Sequence, residues 1–160
     1  MKDLDRKIKE LFQGIPIIVS EVLTEELTAL GNECNERIRN GGHGNDWQNR
    51  TGNLRRSIGY AIFDHAREVV SSSFDTVLQG SAGSAEGKRF VESLASLYSD
   101  TFALVVVAGM DYSGYVEAKG FDVLESSRLL AMSKMDSLIA RADGKIQKRI
   151  EQLSKRLGLD

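Results

Sequence analysis

Two histidines, with the acidic side chains beside them or among aromatics, are the clearest candidates that the chain offers for reactive chemistry. His65 follows Asp64 directly, and His43 stands three residues before Asp46 in the run Gly41-Gly42-His43-Gly44-Asn45-Asp46. An imidazole beside a carboxylate is half of a general-base arrangement. A small hydrolase or nuclease using His65, with Asp64 or Glu117 as its acid, is therefore one reading. Against it, no Gly-x-Ser-x-Gly elbow or similar strand–turn–helix nucleophile is present. A metal site needs three or four converging ligands, and neither histidine has a cysteine or a third histidine near it in sequence. His43 reads as a solvated loop residue and His65 as a turn or surface residue. Gly83-Ser84-Ala85-Glu86-Gly87-Lys88-Arg89 has the outline of a phosphate loop. However, its glycines are separated by three residues instead of four, and Arg89 stands where Ser or Thr would hold magnesium. Asn49-Arg50-Thr51 matches a glycosylation sequon by chance if the chain takes no secretory route. Asp111 reads as a helix cap and Glu117 as an ion-pair partner of Arg55 or Arg56. The expectation is thus no catalytic residue, no metal and no cofactor.

The bulk properties point the same way. The chain has 160 residues, 41% hydrophobic and 28% charged, which suits one soluble globular domain over 1–160. Its net charge of −2 supplies no general attraction to phosphates. A DNA-binding module would have to rely on the C-terminal basic residues Lys145, Lys148, Arg149, Lys155 and Arg156, which read first as a solvated helix face. No apolar run approaches the ~20 residues of a membrane span. The start, Met1 to Gln13, mixes charges of both signs and is not expected to be a secretory signal. Cys34 is the sole cysteine, so no internal disulfide forms, and a half-buried apolar role in reducing cytoplasm is expected.

These residues must be carried by helices at both ends and strands between. Leu4, Ile8, Leu11 and Phe12 recur at helical spacing, and Pro16 suits the first turn of a new helix. Val19, Val22, Leu23, Leu27, Leu30, Cys34 and Ile38 then trace an apolar stripe along a helix over 16–39, long enough to span the body. Glycines place an exposed loop at about 40–50. From Ser57 the period changes to two, giving a strand through Ile58, Tyr60 and Ile62, with 68–74 as its hairpin partner. The small residues of 79–87 read as a second mobile loop, followed by a short helix carrying Phe90, Val91, Leu94, Leu97 and Tyr98. The run 101–109, TFALVVVAG, is the strongest strand signal, and its continuous apolar character predicts a central strand buried on both sides. A helical turn at 111–117 and a long helix from 122 complete the order. Asp143-Gly144 is expected to kink or end that helix, leaving an amphipathic helical tail over 143–160. The fold class is α+β: a small antiparallel β-sheet packed against a long N-terminal helix and a C-terminal helix.

Two segments, some 60 residues apart, carry a likeness. The first is Arg50-Thr51-Gly52-Asn53-Leu54-Arg55-Arg56-Ser57-Ile58, entering a strand. The second is Tyr112-Ser113-Gly114-Tyr115-Val116-Glu117-Ala118-Lys119-Gly120-Phe121-Asp122-Val123-Leu124, following the valine-rich strand. In this order they resemble the tail-completion, or neck, family of tailed phages, also described as minor capsid or head–tail joining proteins. The likeness covers roughly residues 16–142. Departures are Ser113, where Ala is usual, and Ala118-Lys119-Gly120 in place of a Gly-Thr step.

The resemblance implies a structural, non-enzymatic virion protein. It would act as a homo-oligomeric ring between the head-side connector or portal ring and the tail terminator or tail tube. It would be located in the virion, and in host cytoplasm during assembly, meeting DNA only in the channel. Its assembly motif would be Thr51, Gly52, Leu54, Arg55, Arg56, Tyr112, Tyr115, Glu117 and Gly120. Physically, Thr51 can cap the turn and Gly52 supplies an unusual backbone angle. Leu54 points to the core, the arginines seek carboxylates, and the tyrosines suit a seam between subunits.

Overall fold

The computed structural model describes residues 2–39, 53–74, 81–121 and 123–159. The architecture is α+β. Helix α1 (Lys2–Arg39) leads to a short helix α2 (Asn53–Ser57) and a hairpin of β1 (Ile58–Asp64) and β2 (Arg67–Ser71). Helix α3 (Ser81–Ser93), a 3-10 turn (Ala95–Tyr98) and β3 (Phe102–Ala108) follow, then α4 (Ser113–Ala118) and α5 (Glu125–Leu157). The three strands form one antiparallel sheet in the order β2-β1-β3. The chain resolves into two compact units: α1 up to Glu26 with α5 from Lys134, and residues 27–133.

The first unit is a pair of helices with early residues of one against late residues of the other. Val22, Leu138 and Ala142 are buried there. Gly14 lets α5 come close, since a Cβ at that position would meet Leu153 Cδ2 at 2.5 Å. Two expectations fail in this unit. Pro16 lies inside a continuous α1 and starts no new helix. Pro16 and Phe12 are both exposed, so the carbonyl that loses its i+4 donor can meet water. Likewise Asp143-Gly144 neither ends nor interrupts α5. A glycine in a helix costs only ~1 kcal/mol, which the flanking turns offset through their pairing with α1.

The second unit is built around the sheet. One face carries Ile58, Val106 and Ala108 against Ile38 of α1, Leu54, Val116, Val123 and Leu124. On the same face Tyr60 lies over Gly31 and donates its hydroxyl to Asn32 Oδ1 at 2.7 Å. The other face carries Ala61, Phe63, Val105 and Val107 against Val91, Leu94 and Tyr98, with the Phe63 and Tyr98 rings stacked at 6.0 Å. Cys34 is fully buried, its thiol 3.7 Å from the Ser127 carbonyl at the start of α5.

The strand order corrects one expectation. The central strand is β1, and β3 is an edge. A continuous apolar run reports burial of both faces of a strand; it does not report neighbours in the hydrogen-bonding direction. The small-residue segment differs as well. Residues 79 and 80 lie outside the described residues, but 81–87 are the opening turns of α3. Their smallness serves close packing. A Cβ at Gly83 would run into the Asn53 carbonyl, and one at Gly87 would sit 2.5 Å from the Ser57 carbonyl. The 40–50 loop lies outside the described residues.

Candidate assembly surfaces

The first half of the motif runs through α2 into the central strand. Thr51 and Gly52 lie outside the described residues. Leu54 is buried, as expected of a core anchor, while Arg55 is exposed and Arg56 half-buried. The Ser57 hydroxyl donates to the Leu54 carbonyl at 2.8 Å, closing the single turn before β1 begins.

The second half follows β3. Ser113 Oγ donates to the Ala108 carbonyl at 3.2 Å and so ties α4 to the end of the strand. The helix starts from Tyr112 with no side-chain cap, so Asp111 does not serve as its N-cap. Tyr112 and Tyr115 are 41% and 65% exposed, and Lys119 Nζ stands 5.2 Å from the Tyr115 ring centre. Gly120 takes φ +86, a left-handed angle that ends α4, and its N–H donates to the Glu117 carbonyl at 2.9 Å. The Glu117 carboxylate has a different task from the expected pairing with Arg55 or Arg56. Its Oε1 accepts the N–H groups of Leu124 (3.3 Å) and Glu125 (3.1 Å) at the start of α5. These are donors that the helix itself leaves without partners.

The two halves meet at one end of the sheet. Ile58 pairs with Ala108, the Gly109 N–H donates to the Ser57 carbonyl at 3.1 Å, and Leu54, Ile58, Ala108, Val116 and Leu124 share one apolar cluster.

Among the described residues, those with reactive potential are brought together only in part: His65 meets Asp64, and Glu117 stands apart. His65 and Ala66 form the two-residue turn of the hairpin, at φ +50 and +65. His65 Nδ1 lies 2.6 Å from Asp64 Oδ1, and the ring is largely exposed. The His65 N–H donates to the Thr101 carbonyl, just before β3, whereas Glu117 lies beyond the other end of β3. Seven residues at ~3.3 Å each put roughly 20 Å between them, so the pairing of His65 with Glu117 as acid and base is not formed. Among the described residues no three His, Cys, Asp or Glu side chains group closely enough to hold a metal ion. His43 and Asp46 lie outside the described residues. No helix among the described residues is long and apolar enough to cross a membrane.

Sequence reasoning missed the ion pairs of the first unit. Glu26, placed on the outward side of the α1 stripe, is 7% exposed and meets Lys145 Nζ at 2.8 Å and Arg141 Nε at 3.0 Å. Arg149 reaches Glu25 at 2.6 Å and Glu21 at 3.4 Å. The hydrogen bond from Lys145 lowers the Glu26 carboxyl below its ordinary value against the opposing effect of burial, and that from Arg149 does the same for Glu25. Two members of the C-terminal basic set are therefore engaged with α1. The signal was in the spacing: acids at 21, 25 and 26, and bases at 141, 145 and 149.

The outward surface is rich in large apolar side chains. Leu4, Ile8 and Phe12 recur at four-residue steps along α1, and Phe12 is 68% exposed. Met135 and Ile139 are exposed on α5. A family-model scan, a search of curated proteins and a search of solved structures return no match to this chain.

Proposed function

We propose that the chain is a structural component of a tailed-phage particle, acting without catalysis in head–tail joining. Copies would form a ring whose neighbours are a portal-side connector and a tail terminator or tube protein, assembled in host cytoplasm and retained in the virion. The observation that carries this reading is the convergence of the two motif segments. They lie some 60 residues apart in the chain, yet their apolar members form one cluster at one end of the sheet, with Tyr112 and Tyr115 exposed beside it. The exposed row Leu4, Ile8 and Phe12 supports a life in contact with other proteins, because apolar surface of this kind marks interaction sites. A ring needs contacts in which one surface meets a different one on the next copy, and a chain with apolar and aromatic side chains exposed in several elements can supply both.

The test is genetic and microscopic. Deleting the gene from the phage or prophage that encodes it should leave filled heads and complete tails unjoined, visible by electron microscopy, with infectivity restored by the gene in trans. Normal joined particles from the deletion strain would refute the reading.

A further inference from the structure

β3 closes the sheet on one side, and among the described residues no strand pairs with its outer margin. In an antiparallel pair, alternate residues turn both backbone groups toward the same neighbour. The His65 N–H to Thr101 carbonyl bond (3.0 Å) and the Gly109 N–H to Ser57 carbonyl bond (3.1 Å) fix the phase. Ala103, Val105 and Val107 face β1, opposite Phe63, Ala61 and Gly59. Phe102, Leu104, Val106 and Ala108 therefore face outward. At the ends, the Phe102 carbonyl accepts from Thr101 Oγ1 at 3.4 Å and the Ala108 carbonyl from Ser113 Oγ at 3.2 Å. Between them, the N–H and C=O of Leu104 and Val106 have no hydrogen-bond partner among the described residues. Such a row, repeating at strand spacing, is matched in register by another extended strand.

The two margins of the sheet are unlike. β2 carries Arg67 and Glu68, and its register with β1 shifts between Ile62 and Phe63. Charge and a bulge are devices that stop further pairing. β3 has neither. Residues 101–110, TFALVVVAGM, hold no charge and no proline, and the register with β1 is unbroken over seven pairs.

We propose that β3 pairs with β3 of a second copy of this chain, antiparallel about a two-fold axis. Leu104 of each copy exchanges both backbone bonds with Val106 of the other, and two three-stranded sheets become one of six. Val105 then faces its twin across the axis, and Ala103 faces Val107. Every side chain in the seam is uncharged, so no like charges meet. Pairing with a second copy's β2 would instead bring charge and a bulge against this even, neutral run. The contact is isologous and closes on itself, so it is independent of the ring and does not rest on the proposed function. A short strand seam buries less than the ~800 Å² per partner of a standard interface, so the dimer forms reversibly with concentration.

Sedimentation equilibrium of the full chain from micromolar to millimolar concentration tests this. A monomer–dimer equilibrium is expected. Leu104→Pro removes an outward N–H and no bond to β1, so the fold persists by circular dichroism, while the two lost seam bonds weaken dimerisation about tenfold or more. Leu104→Lys keeps the N–H, sets like charges near the axis and also weakens the dimer; it decides the matter if the proline variant fails to fold. Amide exchange at Leu104 and Val106 slows as wild-type concentration rises, while Ala103, Val105 and Val107 stay protected throughout. A monomer at all concentrations, a dimer that the folded variant or variants leave unchanged, or exchange at Leu104 and Val106 that ignores concentration would each overturn the proposal.

Discussion

Glu26 is where a single side chain governs how the chain meets acid. Its carboxylate is buried and held by two cations, Lys145 at 2.8 Å and Arg141 at 3.0 Å, and its proton affinity falls below the ordinary value of 4.5. A group that is more acidic folded than unfolded lends stability above its unfolded value, and that stability is lost as pH falls through the folded one. The wild-type melting temperature should therefore drop once pH falls below about 4.5, and Glu26→Gln should show a flatter profile there. At neutral pH the same variant should cost about 1 kcal/mol, a small figure because both cations are half in water. Thermal melts of both proteins from neutral to acidic pH decide it; parallel profiles would count against this account. Asp3, Glu25, Glu125 and Glu151 are also shifted down by bonded cations, but they are exposed, so solvent screens them and Glu26 should dominate.

At the scale of elements, the hairpin turn stores strain that can be removed. Ala66 holds a left-handed angle with a Cβ in place, which costs an ordinary residue about 1–2 kcal/mol. The turn persists because its two N–H groups are fastened, His65 to the Thr101 carbonyl and Ala66 to the Tyr98 carbonyl. Ala66→Gly should raise stability by about 0.5–1 kcal/mol after the entropy of glycine is subtracted, read as a higher urea midpoint at unchanged slope. How much of the fold was legible follows from what each pattern reports. The stripe Val22 to Ile38, the hairpin from Ile58, the α5 periodicity and Leu54 as a core anchor could be read, because each is a face meeting a core. The placement of β3 could not, since side-chain pattern is silent about edges. Nor could the opening turns of α3, where glycine read as looseness was closeness to Asn53 and Ser57, although the helix at Phe90 and Val91 was legible from its spacing. Of the candidate site, the exposed tyrosines followed from their type and position. The work of Glu117 did not, because a helix start eight residues ahead is a tertiary fact.

For the molecule as a whole, the surface separates what holds the fold from what meets partners. Phe12 and Ile8 contribute little to the interior of the first unit, where Val22, Leu138 and Ala142 are the buried set. Ile8→Ser with Phe12→Ser should leave the melting temperature within about 2 °C of wild type. Under the proposed function, the same double variant should fail to restore joined particles to the deletion strain. A large loss of stability would instead assign these side chains to the fold, and full restoration would release them from assembly.

Cys34 gives the chain a clock of its own. It is the sole thiol in 160 residues, fully buried in the folded state, set in the last turns of α1 against the Ser127 carbonyl. A thiol reagent can reach it only in the moments when α1 parts from the start of α5. The rate of alkylation in native buffer is thus a direct count of those openings, needing no label, no engineered residue and no denaturant. Any partner that clamps the two helices together will show itself by slowing that rate.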